Sequence, residues 1–138
     1  MIGLVVACHS RLAEELLLTA ESIVGPLPHA RAVCIRREEG MEAIEATLRA
    51  AIAAVDDAGD GVIVMTDMFG GTPANVAMTL FEDCNIEILA GVNLPMLIKF
   101  SSVPRCETLS AVAVFLREYG RRGIMCPGEL LNPRTDYV

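Results

Sequence analysis

The segment Ile2-Gly3-Leu4-Val5-Val6-Ala7 carries no polar side chain. Successive side chains of a strand point to opposite faces, so such a run is stable only where both faces are covered, as in the parallel sheet of an α/β protein. Three later runs are also predicted strands: 30–35, 61–66 and 86–90. The intervening segments repeat at helical spacing. Residues 11–24 place Leu12, Leu16, Ala20 and Ile23 on one predicted stripe and meet a stop at Gly25-Pro26. From Met41, the stripe is Ile44, Leu48, Ile52 and Val55. Shorter helices are predicted at 73–82 and after Asn93, where Asn93 can cap and Pro95 suits the first turn. A further helix is expected over 107–119.

Strands alternating with helices predict an α/β fold: a doubly wound, mainly parallel four-stranded sheet with helices on both faces. The length, 138 residues, suits one domain, 1–138. The tail, 121–138, reads differently. Ile124-Met125-Cys126 is too short for a central strand, and Pro127, Gly128 and Pro133 interrupt the residues beyond it, so an edge strand, or one exchanged between subunits, is expected.

Only 4% of residues are aromatic while 53% are hydrophobic, so the core must be built from Val, Ile, Leu, Ala and Met. A mean hydropathy of +0.47 points to an oligomer, since no apolar run approaches the roughly 18 residues that span a bilayer. No basic leader precedes the first strand, and a cytoplasmic location without membrane insertion is expected. The net charge of −7 repels polyanions and disfavours nucleic acid as a partner. The five cysteines, Cys8, Cys34, Cys84, Cys106 and Cys126, show neither paired nor metal-ligand spacing. No metal and no cofactor is expected.

Ligands of open α/β sheets bind at the carboxyl ends of the strands, which here carry the loops 8–10, 67–72 and 91–93. His9 follows the first strand and Asp67 the third, so both fall on one sheet edge. A carboxylate that accepts a hydrogen bond from one imidazole nitrogen leaves the other nitrogen's lone pair free as a nucleophile. Gly70-Gly71-Thr72-Pro73 then opens a helix, with Thr72 as the expected cap and two glycines permitting close backbone approach. Its free amides and dipole favour an anion, and phosphoryl transfer needs mainly positioning and charge stabilisation. Neither a dinucleotide fingerprint nor a P-loop occurs. Cys8 is expected to point away from His9. His29, between Pro28 and Ala30 with no acidic neighbour in sequence, reads as a solvated residue. Met68 and Phe69 either face solvent, where they can contact partner proteins, or tuck beneath the loop.

The chain resembles the mannose-type IIA components of the bacterial phosphoenolpyruvate-dependent sugar phosphotransferase system, most strongly over 1–120. The resemblance rests on His9 with Leu12-Ala13-Glu14-Glu15-Leu16, on Thr66-Asp67-Met68-Phe69-Gly70-Gly71-Thr72-Pro73-Ala74-Asn75, and on Gly91-Val92-Asn93-Leu94-Pro95-Met96-Leu97. It implies that His9 accepts a phosphoryl group from the phosphocarrier HPr, that Asp67 orients the ring, that Gly70, Gly71 and Thr72 hold the phosphoryl oxygens, and that a IIB component is the acceptor. It also implies a homodimer exchanging a carboxyl-terminal strand. Family members often carry Thr-His-Gly at the active turn; this chain has Cys8-His9-Ser10, where Ser10 is expected to cap the helix. No IIB module is fused to this sequence, so the acceptor is expected to be a separate protein. A regulatory phosphoprotein, the phosphoryl-donor subunit of dihydroxyacetone kinase and a non-covalent anion-binding module remain alternatives.

Overall fold

The computed structural model describes residues 1–104 and 107–132. Four strands, β1 (Gly3–His9), β2 (Ala30–Ile35), β3 (Val62–Thr66) and β4 (Ile86–Ala90), form one all-parallel sheet in the order β2-β1-β3-β4. Leu4 to Cys8 are completely buried, as a central strand covered on both faces requires. β1 runs two residues further than its apolar run suggested, so that Cys8 and His9 belong to the strand.

The alternation of β1 divides the core in two. Leu4, Val6 and Cys8 face α1 (Leu12–Val24), α4 (Leu94–Phe100) and α5 (Leu109–Arg122), whereas Val5 and Ala7 face α2 (Met41–Val55) and α3 (Thr72–Thr79). The expected doubly wound arrangement is therefore present. The α2 stripe is as predicted, with Ile44, Leu48, Ile52 and Val55 all buried.

The α1 stripe is corrected by one position. Ala13, Leu17 and Ala20 are buried, while Leu12 and Ile23 are exposed. Leu16, Leu17 and Leu18 are consecutive leucines, so periodicity alone cannot choose the inward face; small Ala13 and Ala20 permit the close approach to the sheet.

Asn93 caps α4 as expected, accepting from the Met96 amide at 3.1 Å. Its side-chain amide also donates to the Gly120 carbonyl at 2.8 Å, joining the start of α4 to α5.

The edge strand expected in the tail does not form among the described residues. Residues 124–126 are irregular and Pro127–Leu131 is a short helix, α6, which buries nothing. Pro127 fits a helical first turn, where its missing amide donor costs no hydrogen bond. The rest of that expectation falls on 133–138, outside the described residues. No helix among the described residues is long and apolar enough to cross a membrane.

Candidate functional site

The chain passes from β1 outward to β2, then returns to the other side of β1 as β3. This reversal opens a crevice between the carboxyl ends of β1 and β3, where helices leave in opposite directions. His9 ends β1, and Asp67 follows the last residue of β3.

The structure brings these two residues together. His9 Nδ1 lies 2.8 Å from Asp67 Oδ2, and the same oxygen accepts the His9 backbone N–H at 3.0 Å. Oδ1 accepts the Met68 backbone N–H at 3.0 Å. The carboxylate is thus fixed on both oxygens. Partial burial by itself would raise its pKa, but the backbone and ring hydrogen bonds from His9, with the charge of the ring, outweigh this and hold Asp67 below its ordinary value. An ionised Asp67 only accepts, which requires a proton on Nδ1 and leaves the Nε2 lone pair free. The Asp67 side chain is only 13% exposed while that of His9 is 46% exposed, so the ring is presented to solvent from a sheltered anchor.

The turn after His9 is held from its other side by β2, through the Ser10 amide and the Ile35 carbonyl at 2.9 Å. Ser10 adopts φ 53°, making it the single non-glycine residue with positive φ among the described residues. It therefore does not cap α1; Arg11 occupies the cap position without a side-chain hydrogen bond. The left-handed conformation favours glycine, which lacks the Cβ that crowds the following carbonyl.

The glycines of the second loop have separate duties. Gly70 has φ 85°, the left-handed region. Gly71 provides proximity: a Cβ there would lie 2.8 Å from His9 Cε1 and 3.5 Å from Nε2. Gly71 rather than Thr72 is the N-cap of α3, and no side chain caps this end. The expected Thr72 cap is thereby corrected, because the helix starts one residue earlier. The first intrahelical bond joins the Asn75 amide to the Gly71 carbonyl at 3.0 Å, so the amides of Thr72 and Ala74 precede the helical ladder and stay available to an anion beside His9.

Met68 and Phe69 face solvent, Phe69 at 75% exposure. Cys8 is completely buried on the α1 side, and its thiol is pushed up to about 12, chiefly by burial and then by the charge of Asp67. It is no nucleophile for this site. The third loop supports the crevice through its backbone: the Gly91 and Val92 amides donate to the Thr66 carbonyl at 2.9 and 3.0 Å.

A separate cavity lies away from this crevice. A cleft of about 480 Å³, lined by Ile2, Leu27, His29, Phe100 and Val103 among others, sits at the amino ends of the strands and includes neither His9 nor Asp67. His29 there has an acidic neighbour after all, Asp57, whose Oδ2 is 3.7 Å from Nδ1; the approach joins residues 28 positions apart and leaves no local sequence signal. The chemistry-bearing groups converge on the shallow carboxyl edge instead. Among the described residues no three His, Cys, Asp or Glu side chains come together as a metal-ligand set.

A family model described as PTS system fructose IIA component, EIIA-man, matches residues 3–115. The chain belongs to this IIA family. It is 33% identical over 128 residues to the PTS system mannose-specific EIIAB component of Escherichia coli (strain K12), a match covering 89% of this chain but 38% of that relative. The chain thus spans well under half the length of that curated protein. The PTS system fructose-specific EIIA component of Bacillus subtilis (strain 168) is 29% identical over 104 residues, covering 75% of this chain and 70% of the relative. Among solved structures, the mannose/sorbose specific IIA subunit of the phosphotransferase system from Enterococcus faecalis matches with a TM-score of 0.79 at 32% identity, covering 91% of this chain and 93% of that one. The PTS IIA protein associated with the fucose utilization operon from Streptococcus pneumoniae gives 0.82 at 26% identity, covering 94% and 96%. The matched span runs from β1 into the first half of α5 and includes both sides of the IIA crevice.

Proposed function

We propose that this IIA chain is a phosphoryl carrier: His9 accepts a phosphoryl group from HPr and passes it to a IIB component. The observation that carries the reading is the 2.8 Å contact of His9 Nδ1 with Asp67, made beside the start of α3. The Nε2 lone pair attacks phosphorus, the bond from phosphorus to the donor breaks, and the donor leaves with its electron pair. The Nδ1 proton stays hydrogen-bonded to Asp67, which stabilises the positive charge developing on the ring. The Gly70-Gly71-Thr72 segment meets the phosphoryl oxygens with backbone amides and the positive end of α3, without cofactor or metal. The same geometry serves the reverse step, since the acceptor takes the donor's place.

Met68 and Phe69, exposed at the rim of the crevice, are suited to contact both carrier proteins. A homodimer in the cytoplasm, with 1–138 acting as one domain, completes the proposal. The high mean hydropathy supports self-association.

The test is incubation with phosphoenolpyruvate, enzyme I and HPr, followed by intact mass and an acid-lability assay. One acid-labile phosphoryl group, absent in His9→Ala, is expected. An adduct retained in His9→Ala would move the site, and phosphate binding without an adduct would replace the carrier by an anion-binding module.

A further inference from the structure

Cys8 and Cys34 are directly paired across the parallel strands β1 and β2. Both belong to the α1 side of the sheet: Cys8 lies within that core and Cys34 packs against it, partly exposed. Of the other described cysteines, Cys84 packs against the opposite core and Cys126 is in the exposed tail. Neighbouring strands lie about 4.8 Å apart, within the roughly 4.4–6.8 Å separation that a disulfide bridges between Cα atoms.

We propose that Cys8 and Cys34 are an oxidation site, a cross-strand dithiol one residue behind His9 that closes to a disulfide under hydrogen peroxide and reopens with a thiol reductant. Cys34, the accessible member, reacts first. Its thiolate attacks one peroxide oxygen, the O–O bond breaks, and a sulfenic acid forms while hydroxide leaves and takes up the proton that Cys34 released. The Cys8 sulfur then attacks the Cys34 sulfur, the S–O bond breaks, and the hydroxyl leaves as water with the Cys8 proton. Two thiols and one peroxide thus give one disulfide and two waters, the two electrons passing from sulfur to peroxide oxygen.

Burial makes Cys8 a poor partner for any external reagent and confines it to its neighbour across the ladder, where proximity offsets its small thiolate fraction. Side chains of facing parallel residues leave the sheet roughly parallel, about 4.8 Å apart, whereas Cβ atoms of a relaxed disulfide are about 3.8 Å apart. The bond therefore forms under strain, and strained disulfides are the readily reduced, regulatory kind. Closing it draws β1 toward β2 immediately before His9, whose amide and ring both hold Asp67. The consequence for phosphoryl transfer rests on the carrier reading; the disulfide does not.

The free protein is treated with peroxide, denatured, alkylated and mapped by peptide mass, with no donor present. The expected result is the loss of two alkylatable thiols, a peptide joining Cys8 to Cys34, its absence in Cys34→Ser and in Cys8→Ala, and full reversal by dithiothreitol. Fully alkylated Cys8 after peroxide, or Cys8 joined to Cys84, Cys106 or Cys126, overturns the site. Oxidised protein should then accept phosphoryl groups about tenfold more slowly or worse, with recovery on reduction; an unchanged rate in mapped, disulfide-closed protein overturns the coupling to His9. Failure of the carrier reading is distinguishable, because reduced protein would then also remain unlabelled while the thiol result stands.

Discussion

Among the segments that expose apolar side chains are the loop after β3 and the chain after Gly123, and the fold treats these two differently. Met68 and Phe69 project from a loop whose ends are fixed by the two oxygens of Asp67, the left-handed Gly70 and the close approach of Gly71 to the His9 ring. Ile124, Met125, Leu130 and Leu131 are as exposed, yet the backbone bonds there are local, such as Glu129 to Cys126 and Asn132 to Gly128. Apolar exposure on a rigid frame fits a docking rim. Apolar exposure on a five-residue helix with no buried residue fits a segment that stabilises the rest of the chain little by itself.

The contrast is tested most severely at Asp67. Asp67→Asn replaces an acceptor-only carboxylate by a neutral amide that can also donate, so the ring tautomer is no longer fixed, and phosphoryl transfer should slow by ~10²-fold or more; an unchanged rate would mean the carboxylate is only structural. Because the folded-state pKa of Asp67 is lowered, its contribution to stability is fully present above its unfolded value near ~3.9 and is lost as pH falls through the lower folded value. Denaturation of wild type and Asp67→Asn should therefore differ at pH 6 and converge at lower pH; a gap that persists in strong acid contradicts the assignment.

Gly71→Ala comes next. The added Cβ would meet the His9 ring at 2.8 Å, so the ring must move or the loop must yield, at about 1–3 kcal/mol, with slower labelling. Wild-type labelling in a stable Gly71→Ala protein would show that the loop is less rigid than the contrast with the tail requires.

Ser10→Gly should act the other way. Removing the Cβ relieves the left-handed strain, about 1–2 kcal/mol, offset in part by the greater freedom of glycine in the unfolded chain. A net gain of up to ~1 kcal/mol in urea unfolding is expected, and a loss would mean that the Ser10 side chain makes a compensating interaction.

Deleting residues 124–138 should have the smallest effect on the fold, within about 0.5 kcal/mol. A large loss of stability accompanied by a change of mass in solution would recast the contrast, with the tail held by a second copy of the chain.

Much of the site was legible before folding because strand ends announce themselves. His9 and Asp67 each follow an apolar run, so a parallel sheet must bring both to one edge, and the Gly-Gly-Thr-Pro segment marks a helix start on that edge. The α1 face was not legible, since three consecutive leucines satisfy more than one stripe. The N-cap of α3 was misplaced by one residue because Thr72 has the chemistry of a cap while Gly71 has the backbone position. Nothing in local sequence could pair Cys8 with Cys34 or His29 with Asp57, which depend on strand register and on the meeting of remote loops.

The sequence by itself determined the order of the elements through α5, the burial of β1 and the residues available at its end, because apolar periodicity and helix punctuation act over a few residues. Only the tertiary structure decided which Asp67 oxygen meets which His9 nitrogen, that Ser10 must turn left-handed, and that two cysteines lie side by side behind the histidine. Those are consequences of sheet register and of close approach between segments far apart in the chain, where ångström-scale placement carries the chemistry.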